Sequence, residues 1–207
     1  MTATVVIVII TCLVSYRAFN NSELFYKLAH WPVREHSAKE HYRLVTSGFV
    51  HGGWVHLLIN MFVLYSFGEL IEYHFVQFFG PTFGIVYFVL VYLLTIVCAS
   101  LPSYFKRRNQ SEYMAVGASG GVSGIVFIFI LLYPWEYLML YAIIPIPAII
   151  GGILYLWYSS YASKNKQDRI DHEAHFYGAL FGVVFTLILK PSLALTFVQR
   201  LVDNFPL

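Results

Sequence analysis

Apolar residues fall into six runs, roughly 2–18, 54–74, 79–100, 117–135, 146–163 and 172–190, and each reads as a helix that could enter a bilayer. The first is short for a full crossing. Between the first two lies the longest polar region, 19–53, rich in His, Glu, Lys and aromatics. It contains Ala29-His30-Trp31-Pro32, with a tryptophan suited to a membrane interface. It reads as a structured, partly membrane-inserted loop rather than a linker. Short connections follow around Phe75–Phe78, Leu101–Tyr113, Pro134–Pro145 and Ser163–Asp171. No linker, internal repeat or low-complexity segment divides 1–207, so a single membrane domain is expected. The first run has no basic segment before it and no small-residue cleavage site, and reads as a retained span rather than a removed signal.

Composition agrees with this pattern. The chain is 58% hydrophobic and 12% charged, with mean hydropathy +0.66, against about 25% charged residues in soluble domains. The expected class is an all-α polytopic membrane protein of six transmembrane helices. A net charge of +2 is too small to call for nucleic acid. Cys12 and Cys98 both sit in apolar runs and read as packing residues, without a disulfide framework.

Against this background the polar residues inside the spans stand out. Span two opens with His51, His56 and Asn60, span four with Ser119, and span six with His172 and His175. Even-numbered spans all start on the same side, so these groups converge in one leaflet. Polar groups in hydrocarbon pair with one another or line a cavity. His56 and Asn60, four residues apart, share a helix face. A nucleophilic serine needs a base for its proton and donors for the oxyanion, and Ser119, His175, His56 and Asn60 form that inventory. Taken singly, each has a plainer reading: Ser119 as a small packing residue, Asn60 as a helix–helix hydrogen bond, His51 as a helix cap or interface group. Glycine pairs four apart, Gly117/Gly121, Gly120/Gly124 and Gly178/Gly182, mark close helix contacts. A metal site fits less well. His172-Glu173-Ala174-His175 is one residue short of the spacing that sets two histidines on one helix face, and His51 and His56 are five apart.

At these residues the chain resembles the rhomboid family of intramembrane serine proteases, from span two to span six. Gly117-Ala118-Ser119-Gly120 with Gly124 resembles the nucleophile motif, and Ala174-His175-Phe176-Tyr177-Gly178 with Gly182 the base-bearing helix. His51, His56 and Asn60 match the span-two spacing, Gly68 and Glu72 the end of that span, and Glu40 with Tyr42-Arg43 the first loop. The resemblance implies a six-helix rhomboid-like bundle. Ser119 would attack the scissile carbonyl and His175 would act as base and then acid. His56, Asn60 and the Ser119 N–H would hold the oxyanion. His51 would lie in a water-filled cavity nearby, and Glu40 and Arg43 would brace the first loop. The loop before span six would be a cap and span five a lateral gate. Substrates would be transmembrane segments carrying helix-weakening residues, the partner would be the bilayer, and neither metal nor cofactor is implied.

A second serine motif, Gly121-Val122-Ser123-Gly124, overlaps the first. Glycine at both one and five residues beyond Ser119 favours Ser119. Ser123 also departs from the family, many of whose members carry an aromatic there that packs on the catalytic imidazole. This serine either hydrogen-bonds His175 or leaves its ring less constrained. The alternative function is a non-catalytic rhomboid-like protein that binds membrane proteins for quality control; such members usually lack the serine or histidine that this chain keeps.

Orientation is a point of conflict. Eleven of the 13 Lys and Arg lie on the site side: Arg17, Lys27, Arg34, Lys39, Arg43, Lys106, Arg107, Arg108, Lys164, Lys166 and Arg169. Lys190 and Arg200 lie opposite. The positive-inside rule puts that side in the cytoplasm. The resemblance implies a site opening to the non-cytoplasmic side, and the long first loop is then expected to be a folded unit whose charges are paired internally with Glu23, Glu35 and Glu40.

Overall fold

In a computed structural model, residues 1–140, 143–165, 171–203 and 205 are described. The chain is mostly helical. The elements are α1 (Ala3–Phe19), α2 (Ser22–Leu28), α3 (Pro32–Ser37), α4 (Arg43–Thr46), α5 (Trp54–Phe79), α6 (Pro81–Arg107), α7 (Ser119–Leu132), β1 (Tyr137–Leu140), β2 (Ile144–Pro147), α8 (Ala148–Asn165), α9 (His172–Leu189) and α10 (Ser192–Asp203). Among the described residues, α5, α6 and α9 are long and apolar enough to cross a membrane, and α1 and α7 are shorter apolar helices.

Each apolar run forms a helix because its backbone can satisfy its own polar groups without water. Their ends are set by caps. Gly80 at φ +78° closes α5, and Pro81 at once starts α6. α1 runs antiparallel to α5 and is tied at both ends. Near the end of α5, the buried Glu72 carboxylate accepts from Ala3 N–H, Thr4 N–H and the Thr4 hydroxyl, each at 2.8 Å. A negative charge there complements the positive end of α1. Gly68 makes room for Thr4: a Cβ at Gly68 would lie 2.8 Å from Thr4 Cγ2. At the start of α5, Phe19 packs on Trp54 with ring centres 5.0 Å apart.

α7 is the central helix and is buried almost all round. It crosses α9 where Gly120 and Gly124 meet Gly178 and Gly182. A Cβ on Gly182 would lie 2.5 Å from Gly124 Cα, and one on Gly178 would collide with the Gly120 carbonyl. Gly121 turns the other way, toward Tyr92 and Ile96 of α6. The expected Gly117/Gly121 pair is corrected here: Gly117 precedes the helix and meets a histidine instead.

The expected Phe75–Phe78 connection is corrected, since it lies inside α5, as does the start of the Leu101–Tyr113 connection, which continues α6 to Arg107. Two further elements were not expected. The Pro134–Pro145 connection contains a β1–β2 hairpin, Tyr137 pairing with Pro147 and Leu140 with Ile144. Proline survives there because each strand of a two-stranded ribbon is an edge. Beyond the sixth apolar run lies α10, which returns to α7. Its Arg200 donates to the Leu132 carbonyl, and Trp135 Nε1–H donates to Leu201 O.

Candidate active site

The starts of α5, α7 and α9 meet at one end of the bundle. Ser119 is the first residue of α7, and its N-cap Ala118 offers no capping side chain. The first-turn amides of a helix have no intrahelical acceptor. Here they form a positive, donor-rich end beside the Ser119 hydroxyl.

The segment leading into Ser119 is held from three directions. Ala115 exchanges both backbone hydrogen bonds with His30 at 3.0 Å. Gly117 N–H donates to Ser47 O at 3.0 Å. Ala118 N–H donates to His51 Nε2 at 3.2 Å. A ring nitrogen that accepts carries no proton, so His51 Nδ1–H donates to Ser15 Oγ at 3.0 Å, and that hydroxyl donates to Phe49 O at 3.0 Å. His51 is fully buried. The expectation that it lies in a water-filled cavity is therefore corrected: both nitrogens face protein. Burial, with the neighbouring His56 second, pulls its pKa down to about 3, so it stays a neutral bracket.

His56 stands one layer nearer the site, its ring 4.9 Å from that of His51. Its Nδ1 lies 3.5 Å from Gly52 N–H, a long hydrogen bond that assigns the proton to Nε2. Gly117, at φ +128°, backs this ring: a Cβ there would lie 2.7 Å from His56 Nε2. Asn60 is buried one turn on, and its amide donates to His56 O at 2.9 Å, leaving one N–H over.

His175 sits in the first turn of α9, half-buried like Ser119. The Gly120–Gly178 contact brings these two first turns together. Ser119, Gly117 and Gly120 line a cavity of ≈30 Å³ with Ala174 and Asp171, room for one water molecule. Asp171 serves the helix rather than the base. Its Oδ1 accepts from Ala174 N–H at 2.9 Å as N-cap, and its Oδ2 accepts from Tyr113 OH at 2.6 Å. That contact and burial push the Tyr113 hydroxyl pKa up, burial being the larger cause.

Ser123 is 5% exposed and lies one turn inside α7. Its Oγ shares a 2.6 Å hydrogen bond with Tyr155 OH of α8. Tyr155 in turn stacks on His175 at 6.1 Å and 17°. The sequence reading missed Tyr155, one of 16 tyrosines, and no local motif marks it.

The first loop packs beneath this end. Arg43, buried, donates to Tyr26 O at 2.5 Å, Ala29 O at 3.0 Å and Glu40 at 2.6 Å. Glu40 also holds Arg34 at 2.7 Å, and these two guanidinium groups keep its pKa below the usual carboxylate range. The expected pairing of Glu35 with a basic chain is corrected: it holds His30 Nδ1 at 2.6 Å, and His30 Nε2 meets Ser103 Oγ at 2.9 Å. Lys166 and Arg169, and most of the loop expected to act as a cap, lie outside the described residues. Among those described, no three His, Cys, Asp or Glu side chains gather as metal ligands.

The family model described as Rhomboid domain matches residues 38–192. The chain belongs to the rhomboid family. Among curated Arabidopsis thaliana proteins it is 30% identical over 167 residues to Rhomboid-like protein 11, chloroplastic, covering 75% of this chain and 55% of that one. It is 28% identical over 152 residues to RHOMBOID-like protein 12, mitochondrial, covering 68% and 44%. It is 29% identical over 157 residues to RHOMBOID-like protein 5, covering 74% and 46%. The chain thus spans about half the length of these relatives. Family and apolar helices together make it a membrane protein with a rhomboid-type helical fold.

Proposed function

We propose that this chain is an intramembrane serine endopeptidase that cleaves transmembrane segments of other membrane proteins. In this reading α1, α5, α6, α7, α8 and α9 form a six-span bundle, and 1–207 acts as one domain. The observation that carries the reading is the α7–α9 crossing, which sets the start of the Ser119 helix against the start of the His175 helix while His56 leans on Gly117.

Ser119 Oγ attacks the scissile carbonyl as His175 takes its proton. The oxyanion that forms is held by His56 Nε2–H, the remaining Asn60 amide N–H and the Ser119 N–H at the positive end of α7. His175 returns the proton to the departing amine, and water then releases the acyl group. Ser119 is preferred to Ser123 because it lines the cavity, whereas Ser123 is buried and bonded to Tyr155. A substrate helix must unwind before its carbonyl can reach Ser119, so helix-weakening residues such as Gly or Pro favour cleavage. Glu40 and Arg43 support the site by bracing the loop beneath it. We place the opening of the site on the non-cytoplasmic side.

The test is cleavage of transmembrane substrates in lipid by parent, Ser119→Ala, His175→Ala and Ser123→Ala proteins. The first two changes are expected to abolish hydrolysis, and Ser123→Ala to reduce it. Hydrolysis that survives Ser119→Ala and stops with Ser123→Ala would move the nucleophile. A parent protein that binds transmembrane segments and cleaves none would replace the enzyme with the non-catalytic binding reading.

A further inference from the structure

Tyr155 occupies a place that chain chemistry alone did not assign. Its ring lies near parallel to the His175 imidazole, with centres 6.1 Å apart and planes at 17°. Its other neighbour is Phe127 of α7, at 5.9 Å. Its hydroxyl meets Ser123 Oγ at 2.6 Å. Offset stacking in this range fixes ring orientation, and the hydroxyl contact fixes where the tyrosine stands.

The neighbouring sequence is fitted to this reach. Gly152, three residues earlier and so on the same face of α8, is backed by α7: a Cβ there would lie 2.8 Å from Ile130 Cδ1. Glycine therefore lets α8 close on α7. Ser123 is small, and a larger side chain there would run into the Tyr155 hydroxyl. A small residue at 123 and a ring at 155 fill one space together.

We propose that Tyr155, locked by Ser123, is a positioning residue for His175, so that α8 helps to orient the imidazole beside the edge-on His172 ring at 6.0 Å. This rests on His175 being the base. α8 is a peripheral helix with Ile153, Leu154, Trp157 and Tyr161 each more than half exposed. The hold on the imidazole therefore depends on how α8 seats against α7.

The experiment measures kcat and KM on a transmembrane substrate for Tyr155→Phe, Tyr155→Leu, Ser123→Ala, the Tyr155→Phe/Ser123→Ala pair, and Tyr155→Leu with Ser123→Phe. The His175 ring-proton resonance is followed in the same proteins. Tyr155→Leu is expected to lower kcat about 10- to 100-fold with KM within about twofold, a fraction of what general-base catalysis supplies. Tyr155→Phe keeps the stack and loses about two- to fivefold. The pair should lose no more than Tyr155→Phe alone, since one hydrogen bond joins the two sites. Ser123→Phe should restore at least about tenfold to Tyr155→Leu by supplying a ring from α7. The ring proton should shift in Tyr155→Leu and stay in Tyr155→Phe. A kcat for Tyr155→Leu within twofold of parent, or an unmoved ring proton, overturns the proposal. If the ring proton shifts but the parent never hydrolyses, the protease reading falls and the stacking stands.

Discussion

His51 shows how one buried ring can fix a site it does not enter. Its neutral form is required on both sides, Nε2 accepting from Ala118 N–H and Nδ1–H donating to Ser15. Unfolded, the ring titrates near 6.5; folded, burial holds it at about 3. A depressed histidine contributes its full stability above about pH 6.5, and loses it as pH falls from 6.5 toward 3, by about 1.4 kcal/mol per pH unit. His51→Gln keeps an acceptor and removes the titration. We expect the variant to melt lower than parent at pH 7 and the gap to narrow steadily toward pH 4.5, in thermal melts in detergent. Parallel curves would remove His51 from the acid response. The sequence named this residue through its spacing from His56 and Asn60, but not its tautomer, because Ser15 and Ala118 approach it only in the fold. Tyr155 was invisible for the same reason. It lies 20 residues ahead of His175 in the chain, on another helix, while the position where the family resemblance implies an aromatic holds Ser123.

At the scale of elements, the α7–α9 crossing brings the first turns of the Ser119 and His175 helices together, and the backbone itself is the contact surface. Gly178→Ala drives a Cβ into the Gly120 carbonyl. Neither backbone can give way locally, so the helices must separate. We expect a loss of about 1–3 kcal/mol in denaturant unfolding, the range for overpacking, together with reduced hydrolysis as Ser119 and His175 part. Gly151→Ala is the matched control. Its Cβ would have nothing nearer than 3.8 Å, and replacing a helical glycine there should leave stability equal or raise it by up to about 1 kcal/mol. Equal losses at both positions would show that the crossing is not special. The apolar runs were legible as helices because an apolar backbone satisfies its own polar groups in that form, but α5 and α6 run on to Phe79 and Arg107, past the expected ends at 74 and 100. The β1–β2 hairpin was not, since Ile144-Pro145-Ile146-Pro147 reads as a broken segment until its partner strand is known. Nor was α10, whose apolar residues alternate with Gln199, Arg200 and Asp203 and whose start is hidden by Pro191.

For the molecule as a whole, the question is which way the site end faces. The basic residues near that end favour the cytoplasm by simple count. Several are already engaged within the protein: Arg34 and Arg43 share Glu40, Lys106 pairs with Glu173, and Arg107 lies over the Tyr113 ring at 4.6 Å. The first loop is a folded platform tied to Ser103, Ala115 and Gly117. These contacts show that the charges serve the fold of the site end, so their count alone does not fix its side. The prediction uses a background with Cys12 and Cys98 changed to Ala and single cysteines placed at each end. Asn109→Cys lies in the exposed turn after α6 at the site end, and Gln199→Cys on the exposed face of α10 at the other. In intact cells, a membrane-impermeant maleimide is expected to label Asn109→Cys and to spare Gln199→Cys until the membrane is opened. The reverse pattern would turn the site toward the cytoplasm, and substrates would then have to present their weakened helix ends from that side.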